Sequence, residues 1–194
     1  LGHVLAARNA RALLQLGEIL FIPAAIPPHK AVAGGSPDGE TRFALTQPLV
    51  CRTGGSRVLS SCVTAHDSID GDLSGRVKIA LTDGSSLAIT GTHTAELRVT
   101  NSIGDTASVP VTVEVTAGDP NPARITLTEY LIYLPAGSGY APMDYVAGVG
   151  DSDSKSGVTA SSTVNSNEPG VYEVVFTYRS GGTESHTRQI VVVE

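Results

Sequence analysis

Residues 91–115, GTHTAELRVTNSIGDTASVPVTVEV, can be laid over residues 170–194, GVYEVVFTYRSGGTESHTRQIVVVE, without a gap. Self-similarity of this kind sets the architecture of whatever it covers. Upstream, Ala44 to Val50 runs parallel to Thr126 to Ile132, and each copy then reaches a Gly-Ser pair, Gly55-Ser56 and Gly137-Ser138. Two modules of similar length therefore fill residues 43–194. Within each copy the apolar residues alternate: Leu97, Val99, Val109, Val111, Val113 and Val115 in the first, and Val174, Phe176, Tyr178, Ile190 and Val192 in the second. Alternation at period two, rich in Val, Thr and Tyr, predicts half-buried antiparallel strands. Each copy ends in a hairpin, turning at Asn101 to Asp105 and at Ser180 to Thr183.

A module with about seven short strands and no helical period closes most economically as a two-sheet sandwich. The predicted divisions are an Ig-like domain over 43–117, a linker over 118–123 and a second Ig-like domain over 124–194. The linker, with Gly118, Pro120, Asn121 and Pro122, is short and stiff by composition. Residues 1–42 follow another pattern. Leu5, Leu13 and Leu16 with Ala6, Ala7, Ala10 and Ala12 fall at helical spacing, and Gly17 sits where such a helix would end. Glu18 to Pro23 then reads as a buried parallel strand leading into a loop with Pro27-Pro28-His29-Lys30. The expected fold class is mostly all-β: two tandem Ig-like β-sandwiches preceded by a short, incomplete α/β fragment.

Two resemblances follow from particular strings. Val63-Thr64-Ala65-His66-Asp67-Ser68-Ile69-Asp70-Gly71-Asp72-Leu73, then Gly91-Thr92-His93-Thr94 and a Val-x-Val-x-Val strand, resembles bacterial Ig-like domains with an A-x-D-x-x-D-G-D-L signature and a G-T-Y-x-V strand; Gly170-Val171-Tyr172-Glu173-Val174 is a second copy of that strand. The resemblance covers about three quarters of the chain. It implies tandem spacer, adhesive or carbohydrate-associated modules of secreted or surface-anchored bacterial proteins.

Gly2-His3, the run Leu20 to Lys30 and Glu40 to Leu45 resemble nicotinate mononucleotide adenylyltransferase, which implies a nucleotidyltransferase-like Rossmann fragment over residues 1–42. In that family an H-x-G-H motif at a helix start holds the ATP phosphates, where free amides and the helix dipole favour the anion. The resemblance assigns His3 to catalysis and His29, Lys30 and Arg42 to substrate binding, with ATP and magnesium required. The motif's first His would precede Leu1, so an N-terminal truncation is expected. The family's remaining strands and C-terminal adenine-binding motif are absent from this sequence, and a stretch of about 40 residues buries too little surface to fold alone. Arg42 to Gln47 continues the enzyme pattern and also begins the Ig-like repeat, as a chimeric join at a short shared sequence would.

The net charge of −6 and the absence of Trp speak against nucleic acid or anionic lipid as partners. No apolar run reaches membrane-spanning length, and Val4 to Leu16, broken by Arg8, Asn9 and Arg11, makes no signal-peptide core. Cys51 aligns with Tyr133 and Cys62 with Tyr145, a pair that changes together; this fits a disulfide in an oxidising compartment, and equally two buried thiols. Asp67, Asp70 and Asp72 could hold calcium, with Asp151 and Asp153 in the equivalent second loop, although Asp-Gly is also a turn former and Lys155 stands where a third ligand of that loop would sit. His66-Asp67-Ser68 point apart along a strand and make no hydrolytic triad, and His93 and His186 read as surface imidazoles on strands.

The function expected is a non-catalytic tandem Ig-like module of a bacterial secreted or cell-surface protein, needing no cofactor beyond calcium and binding a protein or carbohydrate through loops at one end. The alternative is a cytoplasmic remnant of nicotinate-nucleotide adenylyltransferase, joining ATP and nicotinate mononucleotide in NAD biosynthesis.

Overall fold

The computed structural model describes residues 40–53 and 59–194. The helix, strand and loop expected over 1–42 lie outside the described residues up to position 39. Thr41 and Arg42, at the end of that fragment, are already strand and pair with Asp67 and His66, so the β structure begins two residues before the expected boundary at Phe43.

Among the described residues the regular structure is strand, with short 3-10 turns at Leu59–Cys62, Ser74–Arg76 and Pro142–Tyr145. The first half carries β1 (Thr41–Leu45), β2 (Val50–Arg52), β3 (Val63–Asp67), β4 (Gly71–Asp72), β5 (Lys78–Leu81), β6 (Gly91–Thr100) and β7 (Thr106–Thr116). The second carries β8 (Ile125–Leu127), β9 (Leu131–Leu134), β10 (Val146–Val149), β11 (Val158–Ser162), β12 (Gly170–Ser180) and β13 (Thr183–Val193). The larger sheets share one plan. Their orders are β2-β7-β6-β5 and β9-β13-β12-β11, and in each the short edge strand runs parallel to the long last strand while the other pairs are antiparallel. The smaller sheets are β1-β3-β4 and β8-β10. Phe43, Leu45, Val63 and Ala65 of one sheet meet Leu97, Val99, Val109 and Val111 of the other in the first core.

The gapless overlay does not survive the structure. Gly91 faces Val115 across the first hairpin, but Gly170 faces Val193 across the second. Asn101 and Asp105 close a three-residue turn over Ser102-Ile103-Gly104, whereas Ser180 and Thr183 close a two-residue turn over Gly181-Gly182. Both of those glycines have positive φ, 56° and 82°, as the tightest hairpin turn requires. One residue is thus missing from the second turn, and beyond it every position shifts by one.

With a side-chain period of two, that shift exchanges the faces of β13. Val191 and Val193 join Val174 and Phe176 in the second core. Ile190 and Val192, expected beside them, point the other way. They are still buried, 3% and 1% exposed, because with Leu131 and Val171 they pack into the hydrophobic cluster of the first half. A strand buried on both faces reads as a continuous apolar run, and Ile190-Val191-Val192-Val193 is one. Each such side chain removed from water stabilises the joint by about 1.5–3 kcal/mol.

Candidate functional site: the joint and the loop tip

The joint between the halves is built where the outward face of β13 meets the first half, and charged side chains surround its apolar centre. Glu114 extends from β7 and receives His186 Nε2 at 2.7 Å, with Arg188 Nε 3.8 Å from its other oxygen. Arg188 also pairs with Glu173 on β12. The backbone N–H of His186 donates to Pro120 O in the connecting segment at 3.0 Å, fixing that segment against β13. On the other side Arg42 pairs with Glu40 and with Glu194, the last residue, while its guanidinium lies 4.5 Å from the centre of the Tyr133 ring. The Tyr133 hydroxyl accepts the Phe43 N–H at 3.0 Å, and burial pushes its pKa up. Arg42, which the enzyme resemblance assigns to substrate, is therefore engaged by two carboxylates and an aromatic ring. His3, His29 and Lys30 lie outside the described residues.

The three aspartates proposed for calcium sit at one tip of the first half, each held by different donors. Asp67 is fully buried. Its Oδ1 accepts the N–H groups of Ile69 (2.8 Å) and Asp70 (3.0 Å), and its Oδ2 accepts from the Thr41 hydroxyl (2.5 Å) and the Asn101 amide (3.4 Å). The Thr41 hydroxyl and then those two N–H groups hold its pKa down to about 2. Asp70 accepts both the N–H and the hydroxyl of Ser102, tying the β3–β4 turn to the β6–β7 turn. Asp72 accepts the hydroxyl and N–H of Ser74, which lower its pKa. Among the described residues no three His, Cys, Asp or Glu side chains converge on a metal position. In the second half Asp151 and Asp153 are exposed, and Lys155 donates to Met143 O at 3.0 Å.

Cys51 and Cys62 lie in the same core, 5% and 1% exposed. The corrected register alters their counterparts. Cys51 stands opposite Val115, and the residue opposite Val193 is Leu134, not Tyr133. Cys62 and Tyr145 still correspond, each ending a 3-10 turn ahead of a strand.

His93 is not a surface imidazole. It is 6% exposed, with Nε2 2.8 Å from Ile89 O and Nδ1 3.3 Å from Asp83 Oδ2. Its counterpart Tyr172 donates its hydroxyl to Glu168 O at 2.9 Å. Both therefore latch onto the carbonyl four residues upstream and fasten the incoming loop to the long hairpin. His186 belongs to the joint, also against expectation. Sequence reading missed Glu114, Glu173 and Arg188, whose one visible sign is a charge set inside a valine-rich strand. It also missed the polar stripe Ser185, Thr187 and Gln189, all buried in the second half. Gln189 there accepts from the Tyr140 hydroxyl at 2.6 Å and donates to Glu129 O at 2.9 Å.

Among the described residues no helix is long and apolar enough to cross a membrane. Over 39 residues, 20% of its length, the chain is 51% identical to the "Probable nicotinate-nucleotide adenylyltransferase" of Gloeobacter violaceus, and it spans about a fifth (19%) of that curated relative. A solved structure of CBM51-2 in complex with GlcNAc and INT domains from Clostridium perfringens ZmpB is similar at 14% identity and a TM-score of 0.36, across 79% of this chain and 41% of that one. Residues 126–192, from β8 into β13, match the family model described as bacterial surface protein, Ig-like domain.

Proposed function

We propose that residues 40–194 are a non-catalytic module of a bacterial secreted or cell-surface protein, two Ig-like sandwiches in tandem held as one stiff spacer with loops free for binding. The family match over residues 126–192 supports the surface assignment. The observation that carries the spacer reading is the burial of β13 on both faces. Domains within a chain normally move relative to one another unless their interface is large and hydrophobic. Here Leu131, Val171, Ile190 and Val192 continue the first core, and ionic clusters flank them. A small-angle scattering curve matching one fixed arrangement of the halves, with a single thermal transition, is the expected result. Two separate transitions and a curve needing many arrangements would overturn the reading.

The 39-residue match favours a second reading, that the parent chain transferred adenylyl groups to nicotinate mononucleotide. Limited proteolysis with ATP, nicotinate mononucleotide and magnesium tests it. Protection of residues 1–39 by nucleotides would support that reading, and cleavage there regardless of nucleotide would count against it.

A further inference from the structure

On the outward face of β5-β6-β7 two cations stand side by side, with Glu96 at the next outward position of β6. Lys78 stands directly opposite Arg98 in the β5–β6 pairing. Like charges in direct opposition destabilise a strand pair. Among the described residues neither has a carboxylate oxygen within 4.0 Å, whereas Arg179 has one carboxylate partner and Arg42 and Arg188 have two each. Arg76, two residues before Lys78, lies 3.9 Å from Asp70, whose two oxygens already accept from Ser102. The three cations line one open groove with Val99, Thr100 and Thr106, and no acidic side chain lines it. In a chain of net charge −6, the charged side chains that line this groove are all cations.

We propose that this groove binds the carboxylates of a short acidic oligosaccharide, which deepens and rests on the reading of residues 40–194 as a surface binding spacer. The guanidinium of Arg98 offers the planar fork that a carboxylate fits, and Lys78 offers a point charge beside it. Thr100 and Thr106, whose hydroxyls lie 2.8 Å apart at the exposed end of the groove, supply donors and acceptors suited to sugar hydroxyls. No aromatic side chain lines the groove, so nucleic-acid bases would find no stacking surface there. The acidic remainder of the protein repels a long polyanion beyond the groove, which limits the contact to a few sugar units.

The test titrates the full chain with trigalacturonate, with maltotriose, hexathymidylate and a short polyglutamate in parallel, followed by calorimetry and amide NMR. The expected result is saturable binding of trigalacturonate that weakens with added salt and moves the amide signals of residues 76–78 and 98–106. In the Lys78→Gln/Arg98→Gln variant the affinity should fall about tenfold or more, a loss of about 1.4 kcal/mol. Removing the opposed charges should leave the melting temperature unchanged or raised, which separates loss of binding from loss of fold. No saturable binding, equal binding of maltotriose, tighter binding of hexathymidylate or polyglutamate, unchanged affinity in the variant, or a fall in its melting temperature would each overturn the proposal. Scattering reports on the spacer independently, so the two readings fail separately.

Discussion

The hairpins β6–β7 and β12–β13 are built to one plan and buried in opposite ways. On the core face of β7 stand Ala107, Val109, Val111, Val113 and Val115, and on that of β13 the matching residues are Ser185, Thr187, Gln189, Val191 and Val193. β7 keeps its other face polar, with Ser108, Thr112 and Glu114, while β13 turns Ile190 and Val192 outward. The first hairpin thus finishes a sandwich, whereas the second finishes its own sandwich and also covers part of its neighbour. A strand can join two cores only if its outward face is apolar, and the stripe Ser185, Thr187 and Gln189 shows that the inward face need not be wholly so: Ser185 and Gln189 find partners, while among the described residues the buried Thr187 hydroxyl has none. Ser185 Oγ accepts the Ala123 N–H, and Gln189 bonds Tyr140 and Glu129.

The strongest way to break this contrast is Ile190→Ala. Truncating a buried isoleucine costs about 2–5 kcal/mol. Because the side chain lies in the cluster of the first half, its loss should lower the stability of both halves and separate one denaturation transition into two, as read by urea titration with circular dichroism. A loss confined to the second half would show that the joint does not couple them.

Glu114→Ala should cost less, about 1–3 kcal/mol, because Arg188 keeps Glu173 while losing its other carboxylate. Scattering of this variant should show a looser arrangement of the halves with each sandwich still folded. Unchanged scattering and stability would mean that the apolar contacts hold the joint without the ionic cluster.

Acid should weaken the fold through the first half. Asp67 has a folded pKa of about 2, held down by Thr41 and the turn N–H groups, against about 3.9 for an unfolded aspartate. A carboxylate with a depressed pKa stabilises the fold fully above its unfolded pKa, and that contribution is lost as pH falls from about 4 towards 2. The urea midpoint should therefore drop across this window, and Asp67→Asn should flatten the drop. An equally steep fall in Asp67→Asn would assign the acid sensitivity to other carboxylates. Calcium should leave the midpoint of the parent chain unmoved, since the Asp67 oxygens already accept four protein donors.

Much of this architecture is legible in the residues. The alternation of Leu97 and Val99, and of Val109 to Val115, marks a half-buried hairpin because only one face of it is apolar. The same rule assigns β13 to the wrong face, since four consecutive apolar residues carry no period and Gln189 and Thr187 look like solvent residues. The joint was not visible because its parts lie far apart in sequence: Glu114 and His186 are 72 residues apart, and Arg42 and Glu194 are 152 apart. The calcium expectation rested on the spacing of Asp67, Asp70 and Asp72, and spacing cannot tell a carboxylate aimed at an ion from one aimed at a backbone amide. The basic groove is hidden in the sequence for a similar reason: strand register sets Arg98 opposite Lys78 across a loop, and Arg76 completes the lining.

The smallest effect comes from making the two turns alike. Replacing Ser102-Ile103-Gly104 by Gly-Gly deletes the residue that distinguishes the hairpins, with Gly91 still opposite Val115. This change removes the Ser102 hydroxyl and the hydrogen bond it donates to Asp70, and shifts the backbone N–H that donates the other, a loss of about 1 kcal/mol at an exposed position. The variant should therefore melt slightly below the parent, with the β6–β7 amide pairing unchanged by NMR. If the three-residue turn itself determines the register, shortening it would slip β7 by one residue and turn Val109, Val111, Val113 and Val115 out of the core, and the first half would not fold. A small loss means that burial of those valines sets the register and the turn follows it. It would also explain how two hairpins with different turns keep the same strand order.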